Sequence, residues 1–565
     1  MNETPLLTRR RLLLLTPWLG ATATQHARAG GVAGTPQSAA AASARASTTA
    51  PLLEGLAGYS LRARTRLPLV QRYVDQGAML VYGFNPAEAA RSFQAATALD
   101  PCCAIAWWGL AWSLGPNINT DMAPSDAERV HHALQQASRH ARLAEPLHRD
   151  WIAALALRHP APERLDEQAY EQRMRVLTRR YPRSADTALL AAEALLNLHP
   201  YDWWGPAGEP LPATPRIESL LQQALRLMPG HPGAHHYWIH LQESSPRPQR
   251  GVASADALRG TYPGSGHLLH MPSHIDMRVG RYADAIRANQ QSIAADLRYL
   301  EQVDAQGAYR VGYVAHNHHF LWAAACMAGQ PRLALEAAEA AWPAACGPGR
   351  RDPGLAITSH YAALPFFTRV RFGQWRAMLH DTPPPDTPGP YALALWHYAR
   401  GTALAQLGQP EAAQAELQAL EKGAADPAIA RLRVKNIHAA AVVLRMASVT
   451  LRGDLALAAG QTAAAVTLLQ QATQLEDGLQ YDEPHLWLAP TRQALGAVLL
   501  AAGRPQEAER VYRQDLAHYP GNGWSLTGLA QAQAATGQAA AAQATQVAAR
   551  LAFEASGHVP KHSRF

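Results

Sequence analysis

Lysine is almost missing from this chain. Lys422, Lys435 and Lys561 are the only three in 565 residues, and arginine carries the rest of the positive charge. The net charge of +7 is shared with arginines close to the N-terminus, and no run of basic residues is interleaved with aromatics, so composition offers no nucleic-acid partner. Cysteine is scarce too. Cys102, Cys103, Cys326 and Cys346 are too few for a disulfide framework; an oxidising compartment would permit one bridge, and Cys326 with Cys346 is the expected pair. Beyond the N-terminal leader no apolar run approaches the ~20 residues that span a bilayer, so no stable membrane span is expected. Strand-like alternation is absent, as are the HExxH pair of zinc proteases and the Walker loop of nucleotide hydrolases. Pro263-Gly264-Ser265-Gly266 reads as a turn, because no strand precedes it to build a nucleophile elbow.

What is present begins with that leader. TRRRLLL (8 to 14) sets an arginine pair before an apolar run, and the stretch closes on Ala27-Arg28-Ala29. Residues 1–29 therefore read as an export signal cleaved after Ala29, and the arginine pair resembles a twin-arginine signal, which implies a periplasmic or secreted protein that leaves the cytoplasm folded. Residues 30–52 are rich in Ala, Ser and Thr and have little to bury, which predicts a disordered linker. From 53 to 555 apolar residues recur at three- and four-residue spacing between Gly or Pro turns, one helix after another, with a short tail at 556–565.

The helices repeat. PAEAARSFQAATALDP (86 to 101) and GRPQEAERVYRQDLAHYP (503 to 520) share the same placement of a small residue, an aromatic and a proline: Ala89, Phe93 and Pro101 in one, Ala508, Tyr512 and Pro520 in the other. Glycines at 83, 280, 329, 373, 408, 460, 503 and 537 mark further turns, the last two 34 residues apart. The pattern resembles the tetratricopeptide repeat. It implies an all-α, right-handed superhelical solenoid of antiparallel helix pairs, since one such pair cannot bury its apolar face alone. Longer stretches resemble a bacterial family of exported tetratricopeptide-repeat proteins: YGFNPAEAARSF (82 to 93), WWGLAWSLGPNIN (107 to 119), HLLHMPSHIDMRVGRY (267 to 282), YDEPHLWLAPTRQALG (481 to 496) and GNGWSLTGLA (521 to 530). That resemblance implies the fold and leaves the function open.

Within this background seven histidines stand out, His236, His240, His267, His270, His274, His316 and His319. In a tetratricopeptide unit, positions 2, 5 and 9 of the first helix line the concave groove. Counting back from Gly280 puts His267, His270 and His274 on those positions, Gly329 puts His316 and His319 on 2 and 5, and the turn at Ser245 to Pro248 puts His236 and His240 on 5 and 9. Seven of nine slots are then histidine, whereas random placement of 25 histidines in 565 residues would fill on the order of 0.4. Pro272 either kinks the middle helix or begins it.

Neutral imidazoles converging from several helices suit a transition metal, copper, iron, zinc or nickel, better than magnesium or calcium, and seven candidates leave open either two ions or one ion with free acid-base histidines. Glu243 and Asp276 are expected to orient the ligands rather than serve as ligands. His360, on position 2 of the next unit, would extend the groove, and Glu193 with Asn197 would face it further along. His235 and His318 fall on the helix-packing side, the tryptophans at 107, 108, 112, 203 and 204 read as packing, and Asp482-Glu483 reads as a helix N-terminal charge pair or, alternatively, as an acidic edge of the groove. Two function classes stay open: a metal-dependent oxidoreductase acting on a peptide, protein or small molecule held in the groove, and a metal-binding, metal-delivery or peptide-docking scaffold.

Overall fold

A computed structural model describes residues 50–303, 305, 309–347, 356–382, 389–435, 437–487, 489–557 and 559–565. The expected export signal and most of the expected linker lie outside them. The described chain is an all-α solenoid of antiparallel helix pairs, tetratricopeptide-like from Pro68–Tyr82 with Pro86–Leu99 to Gly523–Ala535 with Ala539–Ala552. No helix among the described residues is long and apolar enough to cross a membrane.

The repeat signature has a steric basis. Phe93 is fully buried, and a Cβ built on Gly109 of the next helix would sit 2.2 Å from its ring. Tyr512 repeats the arrangement with Gly528, at 2.1 Å. An aromatic wedge and a glycine that admits it fix how closely successive helices approach. Gly280, Gly329, Gly373, Gly408, Gly460, Gly503 and Gly537 all take positive φ, as turn glycines should. Gly83 does not: its φ is −93°, and Phe84 beside it takes the left-handed conformation at φ 50°.

Two expectations need correction. The linker's last residues, Ala50 to Leu52, lie against the first helix: the Tyr73 hydroxyl donates to the Ala50 carbonyl at 3.0 Å and the Gln76 amide to the Pro51 carbonyl at 2.8 Å. No disulfide joins Cys326 to Cys346. Cys326 sits at the turn of a helix hairpin and Cys346 at the far end of the returning Pro331–Cys346 helix, about 24 Å along its axis, far beyond the reach of a bridge. The tail also docks, with the Ser563 hydroxyl donating to the Gln493 carbonyl at 2.9 Å and Arg564 paired with Asp454 at 2.8 Å.

The superhelix closes over its own concave face. The Tyr282 hydroxyl donates to the Pro520 carbonyl at 3.0 Å, and the Trp524 indole to the Cys326 carbonyl at 3.0 Å. A small antiparallel hairpin, Arg433–Val434 with His438–Ala439, carries Lys435, whose ammonium donates to Asp482 Oδ1 at 2.8 Å and to the Glu483 carbonyl at 2.6 Å. Lys435 thereby anchors the segment that carries Glu483 over the histidine-bearing helices.

Candidate metal centre

The helix Pro232–Glu243 presents His236 and His240 one turn apart. Opposite it, Gly266–His270 and Pro272–Val279 abut at Met271, which keeps right-handed helical geometry (φ −52°, ψ −36°). Pro272 begins the second segment without breaking the helical path, so His267, His270 and His274 stay on one face. His316 and His319 come from Ala315–Met327, which follows a π-helical turn at Arg310–Val314.

These helices assemble two triads. The candidate ligand nitrogens of His236, His240 and His267 all lie within 4.8 Å of one another, and so do those of His270, His274 and His316. All but His316, which is half-buried, are buried. In the first triad His236 Nε2 faces His267 Nε2 at 3.1 Å, and in the second His270 Nε2 faces His274 Nε2 at 2.8 Å. One phenyl ring packs against each triad. Phe84 lies 4.3, 5.7 and 5.3 Å, centroid to centroid, from His236, His240 and His267. Phe320 lies 4.6, 4.5 and 4.9 Å from His270, His274 and His316. The positive φ of Phe84, uncommon for a bulky residue, accompanies this placement of its ring.

The other ring nitrogens are largely engaged. His236 Nδ1–H donates to the Tyr82 carbonyl at 2.6 Å, His240 Nδ1–H to Glu243 Oε1 at 3.0 Å, and His270 Nδ1–H to Asn289 Oδ1 at 2.7 Å. The Asn289 amide nitrogen donates to the Ala285 carbonyl at 2.8 Å, which leaves its oxygen toward the imidazole. His274 Nδ1 is ion-paired with Glu243 Oε2 and, at 2.7 Å, with Glu483 Oε2. With Nδ1 occupied by carbonyl, amide or carboxylate, each Nε2 is left to face its neighbours, the arrangement that fixes the tautomer of a metal-binding histidine.

Charge follows from the same packing. Burial first, then the neighbouring imidazoles, holds His236, His267, His270 and His316 well below the usual histidine range, so they are neutral donors at pH 7. Burial opposes the charge on His274 as well, but Glu243 and Glu483 outweigh it and raise that imidazole to about 10. Two buried, mutually facing Nε2 atoms need a proton or a metal ion between them, and the second triad holds a proton there without metal.

The structure separates the remaining site residues. His319 belongs to neither triad: it lies 5.6 Å from His360, centroid to centroid, and both its ring nitrogens are buried without a hydrogen-bond partner among the described residues. His360 Nδ1 is 3.2 Å from the Tyr391 hydroxyl. Asp276 is turned away, paired with Arg259 at 3.0 Å and Arg281 at 3.3 Å, because a residue two places from His274 projects from the opposite side of the helix. Glu193 accepts from the Trp112 indole at 3.0 Å and is raised by burial to about 7, so Trp112 supplies a polar contact as well as packing. His235 makes two hydrogen bonds outside the site, to the Ser254 hydroxyl and the Pro229 carbonyl.

Glu483 was missed as a partner of His274. It does not cap a helix: it sits in the loop ahead of Thr491–Ala501 and reaches His274 from across the groove. Its signal was the pairing of an acidic doublet with a proline in a motif far from the histidines, which gave no distance. Asn289 and Tyr82 were missed too. One lies on the second helix of its pair, and the other contributes only a carbonyl.

The tetratricopeptide-repeat family profile matches residues 499–553. No curated protein matches the chain. Among solved structures, it is similar to a human IFIT1 dimer with PPP-AAAA at 12% identity and a TM-score of 0.29, over 86% of this chain and 92% of that one. It is similar to the P58(IPK) TPR domain at 14% identity and a TM-score of 0.19, over 86% of this chain and 97% of that one.

Proposed function

We propose that this chain is an exported, transition-metal-dependent enzyme, an oxidoreductase acting on a peptide or small molecule taken up by its concave face. The observation that carries the reading is the orientation of the imidazoles. His236, His240 and His270 spend Nδ1–H on a carbonyl, a carboxylate and an amide oxygen, which leaves Nε2 of each toward the other imidazoles of its triad. Nitrogen donors without thiolate suit copper, iron or zinc, and of these copper and iron supply one-electron chemistry. A three-imidazole set leaves coordination positions for a substrate, which distinguishes a reactive site from a closed structural one.

The surroundings of the second triad support this. A recess lined by Met277, Arg278, Phe320, Met327, Pro484 and Tyr519 adjoins it, with Phe320 and Glu483 as shared walls. The apolar lining suits an uncharged portion of a substrate, and Arg278 would orient an acceptor group at its edge. Glu243 and Glu483 both meet His274 at Nδ1 and so orient that ring, leaving Nε2 toward the triad. The arginine-pair leader fits export of a folded protein with its metal in place.

The test is oxygen uptake by protein purified without a polyhistidine tag, loaded with copper(II) or iron(II), desalted and supplied with ascorbate as electron donor. Turnover per bound metal above that of the free ion, lost in His236→Ala/His270→Ala, supports the reading. Equal uptake by wild type and variant contradicts it.

A further inference from the structure

The histidines of this groove form two sets rather than one. Ring centroids alone do not separate them: inside the triads they lie 4.8 Å apart for His236 with His240, His236 with His267 and His270 with His274, but 6.3 Å for His240 with His267 and 5.9 Å for His274 with His316. Between the triads His267 with His270 and His240 with His274 are 5.7 Å apart. The candidate ligand nitrogens make the division: those of each triad lie within 4.8 Å of one another, with His236 Nε2 turned to His267 Nε2 and His270 Nε2 to His274 Nε2. Phe84 fills one side of the first set and Phe320 one side of the second.

We propose that the groove binds two transition-metal ions side by side, one on His236, His240 and His267 and the other on His270, His274 and His316. The proposal rests on the metal reading above and adds to it the number of ions and the division of ligands. A first-row ion bound at about 2.0 to 2.1 Å by imidazole draws its nitrogens to roughly 3.3 Å of one another. Each triad reaches that spacing by small side-chain rotations from its 4.8 Å limit. One ion could not collect all six nitrogens, since the two Nε2 pairs face different partners. Among the buried nitrogens left without a hydrogen-bond partner among the described residues is His240 Nε2 in the first set, a donor that an ion would satisfy.

Glu243 joins the two sets. Its Oε1 accepts from His240 and its Oε2 pairs with His274, so one carboxylate orients a ligand of each ion and lowers the cost of placing two positive charges close together.

The experiment is metal stoichiometry on the untagged full chain, incubated with excess copper(II), desalted and analysed by mass spectrometry of the metal together with quantitative electron paramagnetic resonance. Wild type is expected to retain two copper ions per chain, with a signal broadened by their proximity. His236→Ala/His267→Ala and His270→Ala/His316→Ala are each expected to retain one ion and give a sharp signal that accounts for all the copper. One ion per wild-type chain, with an unbroadened signal, overturns the proposal and leaves the metal reading standing. No retained copper in wild type overturns both. The wild-type ratio decides the matter even if a variant fails to fold.

Discussion

Glu243 accepts a hydrogen bond from His240 at 3.0 Å through one carboxylate oxygen and pairs with His274 through the other, although the two histidines come from different helices. Burial works against its charge, but His274 and His240 hold it well below the usual carboxylate range. It is thus the one carboxylate among the described residues that contacts both triads.

Glu243→Gln should keep the shape and lose this dual orientation. Metal affinity is expected to fall by about 10- to 100-fold, the usual effect of removing a ligand's hydrogen-bonding partner. Competition with a chromogenic chelator measures it. An unchanged affinity would mean that the carboxylate only stabilises the helices.

Asp276 provides the contrast. It belongs to an arginine network with Arg259 and Arg281 and faces away from the imidazoles. Asp276→Asn is expected to lower the melting temperature, since breaking a buried ion pair costs about 3 to 5 kcal/mol. Metal retained per folded chain should match wild type, and a selective loss of metal would show that Asp276 serves the site after all.

These two acids show what the sequence could and could not reveal. Helical spacing placed all six triad histidines on groove positions, because positions three and four apart project together. The same rule, applied more strictly, would have turned Asp276 away from His274. His319 shares a register position with His270, yet it meets His360 on the following helix, since adjacent repeats step around the superhelix. Glu483 lies more than two hundred residues from His274, and only the closure of the solenoid joins them. The repeat fold was legible because small residue, aromatic and glycine recur at fixed spacing. The closure depends on long-range contacts such as Tyr282 with Pro520, for which no local pattern exists.

Stability should depend on pH through Asp296. Burial raises this carboxyl to about 7, against the Tyr309 hydroxyl and the Asn317 amide that donate to it. In the unfolded chain it titrates near 4. Between about pH 4 and 7 the folded chain holds a proton that the unfolded chain has released, so the contribution is fully present below about pH 4 and is lost as pH rises through about 7. Asp296→Asn fixes the uncharged state, and the Asn317 amide can rotate to accept from it. Urea unfolding in the presence of chelator should show the variant gaining on wild type between pH 4 and 8 by on the order of a few kcal/mol. A difference independent of pH would contradict this assignment.

The central claim is that imidazole nitrogens, and no sulfur, form the inner sphere of a transition metal in this groove. X-ray absorption at the copper edge of the loaded, untagged protein tests it most directly. The account predicts a shell of nitrogen at about 2.0 Å with the multiple-scattering pattern of imidazole, at three histidines per ion. A shell of water or carboxylate oxygen without imidazole scattering, or one containing sulfur, would contradict it.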